Sequence, residues 1–166
     1  FAEMKQRGTI LDATLLVYVT IERMRAEMPK DQGPPIYCSS ALAGQIAKAA
    51  HQAGVEIAAG TDAPGTAADT YPALQQEMAL LVSQAGMTPL QALRSATWVS
   101  AKSLGREADM GSIAPGKLAN LVFLNTDPTH NIKATRDVTL TVKRGKDYHR
   151  KDFVMPSAKE FGELEP

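Results

Sequence analysis

The sequence predicts an α/β chain in which a parallel strand–helix–strand unit leads into a small antiparallel β part. Three observations carry this. Two apolar runs, Thr9–Tyr18 and Val55–Ala59, flank a stretch of helical spacing, which is the order of a parallel βαβ unit. A second helical block between Leu74 and Gly105 has clear start and stop residues. Beyond it, strict alternation and an Arg-Gly-Lys turn announce a hairpin. With 166 residues, 44% hydrophobic and 22% charged, the chain suits one domain, or a piece of a larger one, with a real core.

Taken in order, Phe1-Ala2-Glu3-Met4-Lys5-Gln6-Arg7-Gly8 reads as the end of a helix closed by glycine. The chain starts without Met and without a signal-peptide pattern, so a truncated start is expected and the compartment is not legible. Thr9–Tyr18 (TILDATLLVY) is rich in β-branched and large apolar residues and reads as a strand. Val19 to about Met28 continues as a helix, which Pro29 and Gly33-Pro34-Pro35 break. Ser40 is expected to cap the next helix, with Leu42, Ile46, Ala49 and Ala50 at helical spacing. Gly54 ends that helix, and the strand Val55–Ala59 follows at once.

After the turn AAGTDAPG, starting at Ala58, Leu74, Met78, Leu81, Val82 and Ala85 form a helical stripe that Gly86 closes. Thr88 is the expected N-cap of the following helix, with Pro89 at its first position and Gln91 completing a capping box. Leu90, Leu93, Ala96 and Trp98 to Ala101 continue the pattern to Gly105. Gly111-Ser112-Ile113-Ala114-Pro115-Gly116-Lys117 is rich in turn residues, and Leu118–Leu124 reads as a strand. Val138, Leu140 and Val142 alternate with polar residues before Arg144-Gly145-Lys146 turns into Asp147-Tyr148-His149. Residues 1–105 thus form the α/β part, 106–152 the antiparallel part, and 153–166 a polar tail.

Charge excludes several partners. Lys+Arg and Asp+Glu are balanced at 18 each, so no basic field draws nucleic acid or an anionic membrane. The longest apolar run falls far short of the roughly 18 residues of a membrane span. A single cysteine, Cys38, excludes an internal disulfide and a cysteine-based structural zinc site, and packing is its expected role. His51, His130 and His149 show no ligand-like spacing and read as surface residues.

Asp62 is the residue that needs an account. It follows an apolar strand directly, where a bare buried carboxylate is very costly. Capping a turn is the common use of Asp before a proline-containing loop. The functional reading is that it stands at the C-terminal end of a parallel strand, where active sites of barrels lie, among glycine and proline that let a loop approach a ligand. A phosphate-loop reading of Gly60 to Gly65 fails, because Thr66 stands where lysine is needed and Asp62 would repel phosphate.

Four segments taken together resemble the C-terminal part of the amidohydrolase superfamily, in particular its imidazolonepropionase-like and Xaa-Pro-dipeptidase-like metal-dependent hydrolases. They are Gly54-Val55 through Gly60-Thr61-Asp62; Glu77 through Met87-Thr88-Pro89; Ala92-Leu93-Arg94-Ser95-Ala96-Thr97; and Leu104-Gly105 with Gly111 through Lys117-Leu118-Ala119-Asn120-Leu121-Val122. Order and spacing match over about Thr9 to Tyr148. The family pattern has aspartate where Asn120 stands, at a structural position, and Lys117 reads as a turn residue.

The resemblance implies the C-terminal part of a (β/α)8 TIM-type barrel followed by strands of a composite β domain. Asp62 then matches the aspartate after the last barrel strand, which is both a metal ligand and the catalytic proton shuttle. The implied cofactor is a divalent metal, zinc above all, as one or two ions in a complete enzyme. The implied substrate is a small amide, dipeptide or cyclic amide, with Pro64, Gly65, Thr66 and Tyr71 lining its pocket. The family's His-x-His pair, its lysine or carboxylate and its two further histidines have no counterpart here. A catalytic zinc takes about three protein ligands, and an eight-stranded barrel takes about 250 residues. A partner is therefore expected: the missing N-terminal portion of the barrel. The alternative is a non-catalytic module that binds a partner, or a copy of itself as a homo-oligomer, along its open sheet edge.

Overall fold

The computed structural model describes residues 1–29, 38–62 and 72–154. Among these the chain forms α1 (Ala2–Arg7), β1 (Ile10–Asp12), α2 (Leu15–Glu27), α3 (Ser40–Gln52), β2 (Glu56–Ala58), α4 (Ala73–Ser83) and α5 (Pro89–Arg94). A π-helical segment, Ser95–Val99, leads into α6 (Ser100–Ser103). The remainder holds β3 (Leu121–Leu124), a 3-10 turn at Ile132–Arg136, β4 (Val138–Lys143), β5 (Lys146–His149) and a 3-10 turn at Arg150–Asp152. β1 and β2 pair in parallel, Ile10 with Glu56, Leu11 with Ile57 and Asp12 with Ala58. β4 is the centre of a three-stranded antiparallel sheet between β3 and β5.

The expected strand Thr9–Tyr18 is in fact two elements. β1 ends at Asp12, Thr14 turns the backbone at φ 43°, and Leu15 opens α2. Apolar content alone does not separate a buried strand from a buried helix. Here a distant contact decides. The first N–H groups of a helix have no partner within it, and the Thr14 side chain caps none of them. The Glu77 carboxylate on α4 accepts two instead, from Leu15 at 2.9 Å and from Leu16 at 2.7 Å.

The next helix is capped by Ser39 rather than Ser40, the Ser39 hydroxyl accepting the Leu42 N–H at 3.1 Å. Ser40 donates its N–H and its hydroxyl to Glu22 on α2, at 2.8 and 2.5 Å. These bonds hold the Glu22 carboxyl below its ordinary pKa. α3 buries Ala43, Gly44, Ala47 and Ala50, whereas Leu42 and Ile46, expected inside, are 45% and 44% exposed. Close packing explains the inversion. A Cβ at Gly44 would sit 2.7 Å from Gln84 Oε1, so only small residues fit this face.

The capping box at Thr88 forms as expected, with Thr88 Oγ1 accepting the Gln91 N–H and Gln91 Oε1 accepting the Thr88 N–H. Leu15, Ile57, Met78, Leu81 and Ala92 meet in the core, joined by Ile132 from the 3-10 turn of the β part. Each large apolar side chain there contributes about 1.5–3 kcal/mol on burial. β3 starts at Leu121 rather than Leu118, because Leu118 and Asn120 make turn bonds: Leu118 N–H to Asp109 O, and Asn120 N–H to Leu118 O. Asn120 Oδ1 accepts the Arg144 N–H at 3.0 Å. The hairpin turn has φ 51° at Arg144 and 80° at Gly145, both positive as a type I′ turn requires.

Candidate active site

Parallel pairing brings the C-terminal ends of β1 and β2 to the same side. The turn after β1 and the turn after β2 are therefore neighbours, and a hydrogen bond ties them. Gly60 donates its N–H to Asp12 Oδ1 at 2.8 Å. A Cβ at Gly60 would lie 2.2 and 2.3 Å from the two Asp12 oxygens. Glycine is what lets the carboxylate close on this backbone.

Asp62 follows two residues later. Its backbone lies in the left-handed region at φ 42°, and the residue is exposed. Asp tolerates that region better than most residues, yet the conformation still costs on the order of 1 kcal/mol. Asp62 stands four residues beyond the last residue of β2, Ala58. The other expected pocket residues, Pro64, Gly65, Thr66 and Tyr71, lie outside the described residues.

Beneath these turns sits Glu77, with 0% of its surface exposed. Burial pushes its carboxyl up from 4.5 to about 7, helped by the charge of Asp12 and opposed by the N–H groups of Leu15 and Leu16. Sequence reasoning missed Glu77 and Asp12 as site residues. The signal for Glu77 was present: it lies three residues after Leu74 and four before Leu81, so it sits on the apolar stripe of its helix.

Among the described residues no group of three or more His, Cys, Asp or Glu is placed to hold an ion. His51 lies on α3, His149 ends β5, and His130 Nδ1 is 3.1 Å from Asp127 Oδ2 in an exposed loop. The structure does not bring them together. Asp62 alone falls short of the about three protein ligands that a catalytic zinc takes. Lys117 has structural partners, donating to Glu107 O and Ser112 Oγ at 2.5 and 2.7 Å and lying over the Trp98 ring. A shallow cavity of about 180 Å³ lies against the β4–β5 hairpin, lined by Val138, Thr141, Tyr148, His149, Arg150 and Phe153. It contains none of the expected site residues.

Residues 3–147 match the model of the Amidohydrolase family. The chain is similar to ochratoxinase of Aspergillus niger, 34% identical over 151 residues that cover 86% of this chain and 30% of that protein. It is also similar to imidazolonepropionase of Geobacillus kaustophilus (strain HTA426), 40% identical over 73 residues, 44% of this chain and 17% of that protein. Among solved structures, a Xaa-Pro dipeptidase with bound methionine in its active site superposes with a TM-score of 0.77 at 28% identity. That match covers 88% of this chain and 36% of the other. The chain thus spans about a third or less of the length of each of these proteins.

Proposed function

The chain belongs to the amidohydrolase family, and we propose that it forms the C-terminal segment of a metal-dependent hydrolase acting on carbon–nitrogen bonds. On this reading β1 and β2 are the last two strands of a (β/α)8 barrel. Residues 106–152 supply trailing strands of a composite β domain, and residues 153–166 a tail. The observation that carries the reading is the placement of Asp62, exposed and at positive φ just beyond the C-terminal end of β2.

Asp62 contributes one ligand to a divalent ion, zinc being the best fit to this chemistry, and residues outside this chain contribute the others. Such an ion, when bound, lowers the pKa of water toward neutrality. The carboxylate of Asp62 accepts a proton at the site and returns it to the leaving nitrogen, as general acid–base catalysis requires. Small amides, dipeptides and cyclic amides are the substrate class. The test is an assay of the full-length protein against Xaa-Pro dipeptides, N-acyl amino acids and cyclic amides, with and without chelator. Chelator-sensitive hydrolysis is expected, and hydrolysis of none of them contradicts the reading.

One observation favours a second reading, a self-associating or partner-binding module. Ile21 and Met24 on α2, Met28 at its end, and Leu42 and Ile46 on α3 are 42–45% exposed. A size measurement on the chain in solution separates a monomer from such an assembly.

A further inference from the structure

We propose that Glu77 is a positioning residue for Asp62, acting through the β1–α2 turn and Asp12. The inference deepens the proposed function and rests on Asp62 being the reacting acid.

Three contacts carry it. The turn after β1 does not cap its own helix: Thr14 is at φ 43° and gives α2 no side-chain cap. The cap comes from Glu77, one oxygen on each of the Leu15 and Leu16 N–H groups. A carboxylate also suits the positive end of the α2 dipole. Two residues before Thr14, the same turn starts at Asp12, whose Oδ1 takes the Gly60 N–H. Gly60 is two residues before Asp62 and has no room for a side chain against Asp12.

The contacts form a path from Glu77 through the β1–α2 turn to Gly60. Glu77 lies on α4, the helix that follows the Asp62 loop in sequence. It grips the neighbouring turn, and that turn grips the backbone entering the loop. Glu77 and Gly60 are thereby both bonded to the one stretch from Asp12 to Leu16. A catalytic group misplaced by about 1 Å loses on the order of a hundredfold in rate, so a path of contacts that ends two residues from Asp62 bears on its placement. A purely structural cap would stabilise α2 and leave Gly60 indifferent.

Amide hydrogen exchange at Gly60, with the amides of β4 as internal reference, reads the path without any assay of activity. Glu77→Gln keeps the side-chain shape but turns an NH2 group toward one of the two N–H donors. It should speed exchange at Gly60 by about tenfold relative to β4 and lower kcat of the full-length protein by about tenfold, with KM little changed. Asp12→Ala should do the same, whereas Asp12→Asn, which keeps an acceptor for Gly60, should stay close to wild type in both readouts. If Leu15 and Leu16 lose protection in Glu77→Gln while Gly60 keeps it, Glu77 is a local cap and the proposal is overturned. Should Glu77→Gln fail to fold, Glu77→Asp, which shortens the reach to Leu15 and Leu16, decides: faster exchange at Leu15 and Leu16 with unchanged exchange at Gly60 overturns the proposal equally. A wild-type protein that hydrolyses nothing would remove the proposed function but leave the exchange result standing, so the two failures are distinct.

Discussion

Glu77 titrates against its own burial, and that has a sign. Its carboxyl is raised from 4.5 to about 7 in the folded chain, so between those values the folded state holds a proton that the unfolded state has released. The unfolded state then binds fewer protons, and stability falls as pH rises. The favourable contribution is fully present below about 4.5 and is lost as pH passes through about 7. Urea unfolding of the chain should therefore show a midpoint that drops across this window and levels off above it. Glu77→Gln should flatten the drop, and an unchanged slope would contradict the assignment. Glu77→Ala leaves two buried N–H groups without acceptors and should cost about 3 kcal/mol or more. Asp62 behaves differently, being exposed and proposed for chemistry rather than stability. In the metal-loaded full-length protein, Asp62→Asn should lower kcat by roughly a thousandfold, as loss of a general acid–base group together with a ligand implies, and leave the thermal midpoint nearly unchanged. Near-normal turnover of that variant would remove Asp62 from the mechanism.

Elements whose ends are set by neighbours in sequence were legible, and those set by distant contacts were not. The capping box at Thr88 and Gln91 and the hairpin turn at Arg144-Gly145 close over three residues or fewer. Thr88→Ala should accordingly cost about 1 kcal/mol, measurable as a lower urea midpoint. The boundary between β1 and α2 was misread because its cap is Glu77, 62 positions from Leu15. The inward face of α3 was misread because Gln84, on another element, leaves room only for small residues. The site divides in the same way. The position of Asp62 at the end of β2 follows from the strand pattern around it. Asp12 and Glu77 act across the fold, and no local pattern announces their partners. At this scale Gly60→Ala should displace Asp12 from its hydrogen bond and cost about 1–3 kcal/mol, lowering the urea midpoint. If Thr66 and Tyr71 line the substrate pocket as proposed, changes at them should reorder rates among substrates more than they alter stability.

For the whole molecule, the antiparallel part is joined to the α/β part through a shared core rather than strung beside it. Ile132 buries with Leu81 and Ala92 in one cluster, so the antiparallel part and the α/β part should unfold together in a single urea transition. What the described residues do not assemble is a metal site, since Asp62 has no cluster of His, Cys, Asp or Glu around it. The matches cover only 30% and 17% of the two relatives and 36% of the superposed structure. On the proposed function the site is shared between this chain and the rest of a larger protein. Zinc titration by calorimetry tests it most directly, first on the chain alone and then on the chain mixed with the separately made N-terminal portion. The chain alone should show no tight stoichiometric binding, and mixing should give tight binding together with amide hydrolysis, because both depend on one ligand set. One tightly held zinc per chain, with metal-dependent hydrolysis by the chain alone, would contradict a shared site.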